Sequence, residues 1–219
     1  MDDLMVWAPS QVGSFTLRTV FDLVRAHRPR SFVFAKAWHP SLPLKISFFL
    51  LRLLRSRLPL DSEMGKFGVT GPSKCFYCTE PRVETLDHIF CEGEVAEAIW
   101  NFFEFPVGIS NPRVSARGCM ASWWFRSGGN VRLRFVYQVV PAIICWHIWK
   151  ARNKARFEGK LYGSVDISRF VFNDVRALFN LTFPAYASAL PVWADFHVPI
   201  GSVRYQREIS LAKWLGPPS

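Results

Sequence analysis

Metal-binding side chains are concentrated in one short segment, residues 74–93, with the sequence KCFYCTEPRVETLDHIFCEG. Cys75 and Cys78 form a C-x2-C pair, a spacing that lets two thiolates from one tight turn bind the same tetrahedral ion. His88 follows after nine residues and Cys91 after two more, giving the pattern C-x2-C-x9-H-x2-C. Thiolate and imidazole ligands in a closed tetrahedral site suit Zn²⁺. We therefore predict a structural zinc site with the ligands Cys75, Cys78, His88 and Cys91.

The same residues allow a second interpretation without a metal. Cys75 and Cys78 are also compatible with ordinary buried thiols, and His88 with a hydrogen-bonded polar residue on a helix. A closed site with four protein ligands leaves no position for an activated water, which argues against a zinc-dependent hydrolase. The sequence contains no G-x-S-x-G elbow and no other catalytic constellation, so we predict that the protein is not an enzyme. Glu84 and Asp87 are candidate acceptors for the ring N–H of a histidine ligand.

The charge of the chain favours an anionic partner. Lysine and arginine number 27 against 17 acidic residues, which gives a formal charge of +10 and a pI near 9.7. Such a charge suits RNA, DNA or an acidic membrane surface, and the arginines, which outnumber the lysines, suit phosphate recognition. Two helical stretches concentrate the basic residues that we predict to bind nucleic acid: Lys45, Arg52, Arg55, Lys150, Arg152, Lys154 and Arg156. The alternative for both stretches is a solvated basic face without a dedicated partner.

Amphipathic helices are expected to position these residues, since hydrophobic residues make up 50% of the chain and allow a core. A first helix starts near Thr16, and Leu17, Val20, Phe21 and Val24 follow helical spacing on one face of it. A second helix must stop near Pro59. Its basic stripe holds Lys45, Phe48, Arg52 and Arg55, and its apolar stripe holds Ile46, Phe49, Leu50 and Leu53.

Three further helices complete the expected architecture. The stretch EVAEAIWNFF follows the cysteine segment and turns Val95, Ile99 and Phe102 or Phe103 toward a core. A long apolar helix runs into KARNKARFEG, where Gly159 is a candidate cap, and an amphipathic helix with the sequence SVDISRFVFNDVRALFNLTF follows it. We predict a mainly α fold in which a small zinc knuckle packs among amphipathic helices, with short extended segments at both ends.

The chain lacks the features of secretion and of a membrane span. Its start, MDDLMVWAPS, has neither the basic nor the apolar segment of a secretory signal, so we expect an intracellular protein, nuclear or cytoplasmic, with reduced cysteines. The apolar run Phe135 to Trp149 is too short for the roughly 20 residues that a span requires, and it contains Gln138, Pro141 and His147. We therefore expect a buried helix and no membrane partner.

Turn-forming stretches suggest the domain boundaries. GISNPRVSARG and RSGGN are rich in polar and turn-forming residues, which favours a break between subdomains. We predict a zinc-binding domain at 1–108 with its metal knuckle at 74–93, a linker at 109–130, a helical connector at 131–182 and an extended tail at 183–219.

The cysteine segment and its flanks resemble the reverse transcriptase zinc-binding domain of plant non-LTR (LINE-type) retroelement polyproteins. In that family a C-x2-C pair precedes an E-T-x-x-H-[IL]-F segment and a helix with I-W or V-W. The matching residues here are Cys75, Cys78, Glu84, Thr85, His88, Ile89, Phe90, Ile99 and Trp100. The stretches DLMVWAPSQVGSFTLRTVF, PLKISFFLLRLLRSRLPLD and AIICWHIWKARNKARFEG are similar to the lead-in and the helical connector of that domain.

One departure from the family concerns the metal. The fourth ligand in the family usually lies five residues after the histidine, where this chain has Gly93, while Cys91 lies two residues earlier. Either Cys91 completes the site from a shifted position, or the site has three protein ligands.

The resemblance implies a function without catalysis. The polymerase and ribonuclease H domains of the parent polyprotein are expected before and after this chain. We expect a non-catalytic, zinc-binding fragment of a retroelement reverse transcriptase protein that associates with RNA or DNA. The alternative is a protein-interaction module, or a decayed or domesticated remnant, that has no nucleic-acid activity.

Overall fold

The computed structural model describes residues 6–24, 31–68, 73–80, 82–110, 113–127 and 130–186. Within these ranges the chain forms α1 (Leu17–Val24), α2 (Phe32–Lys36), α3 (Leu44–Leu54), α4 (Asp61–Gly65), α5 (Glu94–Glu104), α6 (Ala116–Trp124), α7 (Val131–Glu158) and α8 (Ser164–Thr182). A π-helical turn lies at His88–Glu92, and 3-10 turns lie at Phe105–Val107 and Pro184–Tyr186. No β-strand occurs in the described ranges, which confirms the mainly α prediction.

The chain divides after Phe32 into two units, which are described separately. In the first unit α1 forms at the expected place, and the helix contains no buried residue. Leu17, Phe21 and Val24 are 81%, 63% and 76% exposed. A unit of this length is too short to build a core of its own, so an amphipathic pattern alone does not bury the apolar face.

The second unit is organised around α7, which is 28 residues long and contacts α3, α5, α6 and α8. The side chain of Asn130 accepts a hydrogen bond from the N–H of Leu133 at 3.0 Å and caps the first turn. Gly159 ends the helix in the left-handed conformation (φ 65°), as its position predicts. The helix has the length and apolar composition of a membrane span, and 67% of its most apolar window is buried inside the protein.

Helix α3 has the two faces that its sequence predicts. Ile46, Phe49, Leu50 and Leu53 are buried in the core that α3 shares with α7. The opposite face remains exposed along Lys45, Phe48, Arg52 and Arg55. Helix α5 likewise buries Ile99 and Phe103. Local periodicity was sufficient for these two helices because each has a single apolar stripe and a core beside it.

The predicted linker at 109–130 is part of the core. Helix α6 lies inside this range and buries Cys119, Met120, Trp123 and Trp124 completely or nearly so. Arg113 is tied to α5, since it donates hydrogen bonds to Asn101 and to Glu104, each at 2.6 Å. The described part of the predicted linker therefore contains a helix that is packed in the core.

The two ends of the chain are described only in part. Of the predicted tail at 183–219, residues 184–186 form a 3-10 turn, and residues 187–219 lie outside the described ranges. Residues 6–16, where the sequence predicts a short extended segment, instead form a series of turns and bends.

Candidate metal centre

A short network of hydrogen bonds shapes the loop that carries the two cysteines. The N–H of Cys75 donates to the carbonyl of Arg82 at 2.9 Å, which closes the loop on itself. The N–H of Glu84 donates to the hydroxyl of Ser73 at 2.9 Å and joins its two ends. The N–H and the hydroxyl of Thr79 lie 3.4 and 3.2 Å from the carboxylate of Glu94 at the start of α5. The loop is therefore anchored to the helix that follows it.

The histidine lies on a π-helical turn that begins at His88. The hydroxyl of Thr85 accepts from the N–H of His88 at 3.1 Å and starts the turn. The N–H of Gly93 donates to the carbonyl of His88 at 2.8 Å, which is the i to i+5 bond of a π-helix. Phe90 follows the histidine into the core, where its carbonyl accepts from the indole N–H of Trp100 at 2.8 Å. The turn is thus fixed at both ends and by a buried tryptophan.

These elements bring together three of the four predicted ligands. The ligand atoms of Cys75, Cys78 and His88 lie within 4.8 Å of one another. The Sγ of Cys78 is 3.2 Å from the Nε2 of His88. A thiolate and an imidazole on one tetrahedral zinc ion lie about 3.6 Å apart, as follows from bond lengths of about 2.3 and 2.1 Å. Small movements of these side chains are enough to bind the ion.

The protonation states of the ligands are set by burial. Desolvation raises the pKa of Cys75 to about 11, so without a metal this residue is a thiol. Desolvation and the charge of Arg82 lower the pKa of His88, which keeps its imidazole neutral and able to bind a metal at neutral pH. Metal binding at this site therefore has to displace a thiol proton, as it does in structural zinc sites.

The space beside the three ligands fits a metal ion and little else. A cavity of about 20 Å³ is lined by Cys75, Cys78, His88 and Gly93, and it has room for about one atom of the size of water. A Cβ atom at Gly93 would lie 3.7 Å from the Nε2 of His88 and 2.7 Å from its carbonyl oxygen. Position 93 therefore adjoins the site, and the close carbonyl favours glycine there. The donor set and the cavity together fit a zinc ion.

Cys91 lies away from the cluster of Cys75, Cys78 and His88. Its Sγ is 3.0 Å from the Sγ of Cys119 on α6, and both residues are fully buried together with Cys145 of α7. The hydrogen bond to Cys91, and after it burial, raises the pKa of Cys119, while the same hydrogen bond lowers the pKa of Cys91. The structure thus places the expected fourth ligand in the core between α6 and α7. The reason is the π-helical turn, in which a residue lies near the one five positions before it. Gly93, five positions after His88, therefore lies beside it, and Cys91, three positions after His88, does not.

The two acidic residues proposed to support the histidine have other partners. The carboxylate of Glu84 is completely buried and bonds to the guanidinium of Arg152, with Arg152 Nε at 3.0 Å from Glu84 Oε2. The carboxylate of Asp87 accepts from the N–H of Ala116 at 2.9 Å, at the start of α6. Each acid therefore fixes the metal segment to a distant helix.

The seven basic residues predicted to bind nucleic acid fall into two groups. Lys45, Arg52 and Arg55 on α3 are exposed. On α7 two of the four predicted cations are paired with acidic residues. Arg152 is buried against Glu84, and Arg156 is paired with Asp61 and lies 3.7 Å from Glu84. Lys154 and Lys150 are half-buried. Lys154 Nζ is 3.3 Å from the hydroxyl of Tyr162, and Lys150 Nζ lies 5.8 Å from the ring centroid of Trp146.

Two features of the core had no signal in the sequence. His147 on α7 is buried, and its Nε2 lies 2.8 Å from a carboxylate oxygen of Asp174 on α8. Burial, and to a smaller extent the charge of Lys150, lower the pKa of His147 to about 4, so it is neutral at pH 7 and donates to Asp174. The Cys91–Cys119 contact is the second feature. Both pairs join residues that are 27 or 28 positions apart and lie on different elements. The periodicity of a single helix does not predict such contacts.

The described residues thus form a helical fold with a Cys-Cys-His cluster whose ligand atoms are close enough together to hold a metal ion. A family model for zinc-binding in reverse transcriptase matches residues 15–100, which confirms that this region is similar to the zinc-binding domain of reverse transcriptase proteins. The match includes the three clustered ligands and Gly93, and it covers less than half of the chain. Searches of curated proteins and of solved structures gave no match.

Proposed function

We propose that this chain is a non-catalytic, zinc-binding accessory module of a non-LTR retroelement reverse transcriptase protein, and that it associates with RNA or DNA through its basic surface. The proposed place of action is inside the cell, in the nucleus or the cytoplasm. The family match supports the zinc-binding part. The exposed basic face of α3 is the observation that carries the nucleic-acid part.

That face combines charge, exposure and a lack of competing acids. Among the described residues Lys45, Arg52 and Arg55 form no ion pair, and all three are exposed on one side of α3. Lys150 of α7 lies close enough that the charge of Lys45 contributes to the lowered pKa of Lys150, after the larger effect of burial. Unpaired cations side by side repel one another, and phosphate groups relieve that repulsion while they release bound counterions.

The metal has a structural role in this proposal. Zn²⁺ held by Cys75, Cys78 and His88 would join the cysteine loop to the π-helical turn, which in turn contacts α5, α6 and α7. The ion would supply a cross-link between these two segments. A cavity of about 20 Å³ has no space for a substrate beside the metal, which favours a role without catalysis.

A salt titration of nucleic-acid binding tests the proposal. The probes are fluorescein-labelled 12-mers of single-stranded DNA and RNA and a 12-bp duplex, and the readout is anisotropy. Substitution of Lys45, Arg52 and Arg55 together by alanine should weaken binding and reduce the slope of log K against log [salt] by about 2 to 3, because three phosphate contacts are lost. A matched control replaces Lys66, Lys160 and Arg176, which are exposed elsewhere, and changes the net charge equally.

The outcomes separate the proposal from its rival. Equal slopes for the triple variant and the matched control would remove the basic face of α3 from the proposal. Failure of the unaltered protein to bind any probe at low salt would favour a protein-interaction module or a decayed or domesticated remnant.

A further inference from the structure

A second cavity opens on another part of the second unit and plays no role in metal binding. Its volume is about 340 Å³, and it lies where the end of α2, the end of α6 and the first half of α7 meet. Three cations and three aromatic side chains dominate its lining: Lys36, Arg126, Arg134, Trp38, Trp124 and Tyr137. We call this cavity the aromatic cleft.

The aromatic side chains of the cleft are held in place by contacts, and one of them remains partly exposed to solvent. Trp124 is held in place by two reciprocal bonds, since its indole N–H donates to the carbonyl of Gln138 at 3.1 Å and the Gln138 amide donates to the Trp124 carbonyl at 3.2 Å. Trp38 meets Phe48 edge-on with the ring centroids 5.3 Å apart, yet it remains 44% exposed. An indole that is fixed by one contact and open to solvent elsewhere is suited to stacking with a flat ligand.

The cations give the cleft a strong positive charge. Arg126 donates to the carbonyl of Gly108 at 3.0 Å, and its guanidinium lies 5.8 Å from the centre of the Tyr137 ring. Lys36 and Arg134 form no ion pair among the described residues, and the described lining of the cleft contains no acidic side chain. Cations without acidic partners beside aromatic rings match a ligand that joins a flat ring to a phosphate group.

The cleft is continuous with the basic face of α3. Phe48 belongs to that face and contacts Trp38 in the cleft wall. Arg55, at the other end of the face, lies 5.3 Å from the ring centroid of Phe34 on α2, the helix that ends with Lys36. A strand whose phosphates follow α3 can therefore place a nucleotide in the cleft.

We propose that the aromatic cleft binds one nucleotide of a single-stranded nucleic acid, with the base stacked on the exposed part of Trp38 and the phosphate on the cations of the cleft. A volume of about 340 Å³ is near the lower end of ligand pockets and suits one nucleotide. A duplex keeps its bases paired and stacked, so it cannot insert one without unstacking it, which costs free energy. The proposal rests on the proposed nucleic-acid association, but it assigns base stacking to different residues from those on α3.

The decisive variants are Trp38→Ala, Trp38→Phe and Arg134→Ala in the full chain. Trp38→Ala should weaken binding of a single-stranded 12-mer about 5- to 150-fold with an unchanged salt slope, because stacking is lost and phosphate contacts are kept. Trp38→Phe should restore most of the affinity, which distinguishes stacking from any damage to the fold. Arg134→Ala should instead reduce the salt slope by about 0.7. The matched control is Phe157→Ala, which removes an aromatic side chain that is 73% exposed.

The probes are oligo(dT) and oligo(U) 12-mers, a 12-bp duplex, and mononucleotide and inorganic phosphate as competitors. A loss on at least one of the two single strands, with weaker competition by phosphate than by the mononucleotide, supports the proposal and identifies the sugar type. Unchanged single-strand binding by both Trp38→Ala and Arg134→Ala overturns it, while the triple substitution on α3 still tests the proposed function independently. Equal losses on the duplex and the single strands also overturn it, and failure of the unaltered protein to bind any probe overturns both proposals.

Discussion

Arg152 on α7 and Glu84 in the metal segment form an ion pair that is almost completely removed from solvent, with exposed side-chain fractions of 2% and 0%. Two nitrogens of the guanidinium face the two carboxylate oxygens, and the guanidinium carbon lies 5.2 Å from the ring centroid of Trp149. The pair joins residues 68 positions apart in the sequence. It therefore fixes the segment that carries the ligands to the central helix.

Removal of Arg152 should destabilise the fold strongly and leave nucleic-acid binding unchanged. Arg152→Ala leaves the buried carboxylate of Glu84 without its partner, and we expect the free energy of unfolding to fall by about 3–5 kcal/mol. Urea denaturation measures this change, with Arg176→Ala as the exposed control. Replacement of both partners, Glu84→Met with Arg152→Met, should recover much of the loss, because no uncompensated charge remains. A loss below about 1 kcal/mol for Arg152→Ala would contradict the buried pair.

The positions of the five cysteines predict which of them hold zinc. Cys75→Ser should abolish the zinc content of protein purified without chelator and lower its melting temperature, because one of three clustered ligands is lost. Cys91→Ala should retain the metal and destabilise the core by about 1 kcal/mol, since its sulfur contacts Cys119. Elemental analysis per chain gives the answer, and Cys119→Ala is the matched core control. Loss of zinc from Cys91→Ala but not from Cys119→Ala would make Cys91 a ligand after all.

Gly93 offers a way to add a ligand. Gly93→Cys places a thiol beside His88, and we expect zinc affinity to rise by at least about tenfold, since even groups that only support a ligand contribute about 10–100-fold. The new Cβ also meets the His88 carbonyl at 2.7 Å, which should destabilise the metal-free protein by about 1–3 kcal/mol.

Gly93→Ala is the control for that substitution, because it introduces the same Cβ without a thiol. Chelator competition measures the zinc affinity, and urea denaturation of the metal-free protein measures the strain. Equal zinc affinity for Gly93→Cys and Gly93→Ala would mean that position 93 does not face the ion.

Buried His147 should make the protein less stable in mild acid. Its pKa is about 4 in the folded protein and about 6.5 in the unfolded chain, so between these values only the unfolded chain binds the proton. The free energy of unfolding should therefore fall as the pH falls through this window, by about 2 kcal/mol between pH 7 and pH 5 from His147 alone.

The variant His147→Gln isolates that contribution, because its amide still donates to Asp174 but does not titrate. The lowered pKa values of His39 and His88 act in the same direction, so the relevant quantity is the difference between the two proteins at each pH. Urea denaturation at pH 5 and pH 7 measures it. The same loss of stability in both proteins would show that His147 is not the group responsible.

Much of the fold follows from patterns that are local in the sequence. The apolar stripe of α3, the cap at Gly159 and the core residues of α5 were predicted correctly, because each depends on residues within a few turns of one helix. Burial did not follow from such local patterns. The stripe of α1 has no buried residue, and the turn-rich range 109–130 contains a packed helix. Amphipathicity and turn residues describe a segment, while burial depends on what packs against it.

The sequence by itself determined the kind of site and its location. The cysteine pair and the histidine are close in the chain, and their side chains are chemically restricted to a small set of uses, so a candidate zinc site at 74–93 could be predicted from spacing, with buried thiols as the alternative. The range matched by the family model, residues 15–100, includes this segment.

Only the tertiary structure decided which residues lie at the candidate metal site and which basic side chains remain outside ion pairs. A π-helical turn places Gly93 beside His88, while Cys91 lies in the core. The spacing of residues in the sequence does not show that a turn is π-helical and not α-helical. The packing of α7 on the metal segment pairs Arg152 with Glu84 and withdraws it from any nucleic acid, while Arg52 on α3 stays exposed. The physical reason is that ion pairs and metal ligands are chosen by distance in space, and residues far apart in the chain become neighbours only when the helices pack.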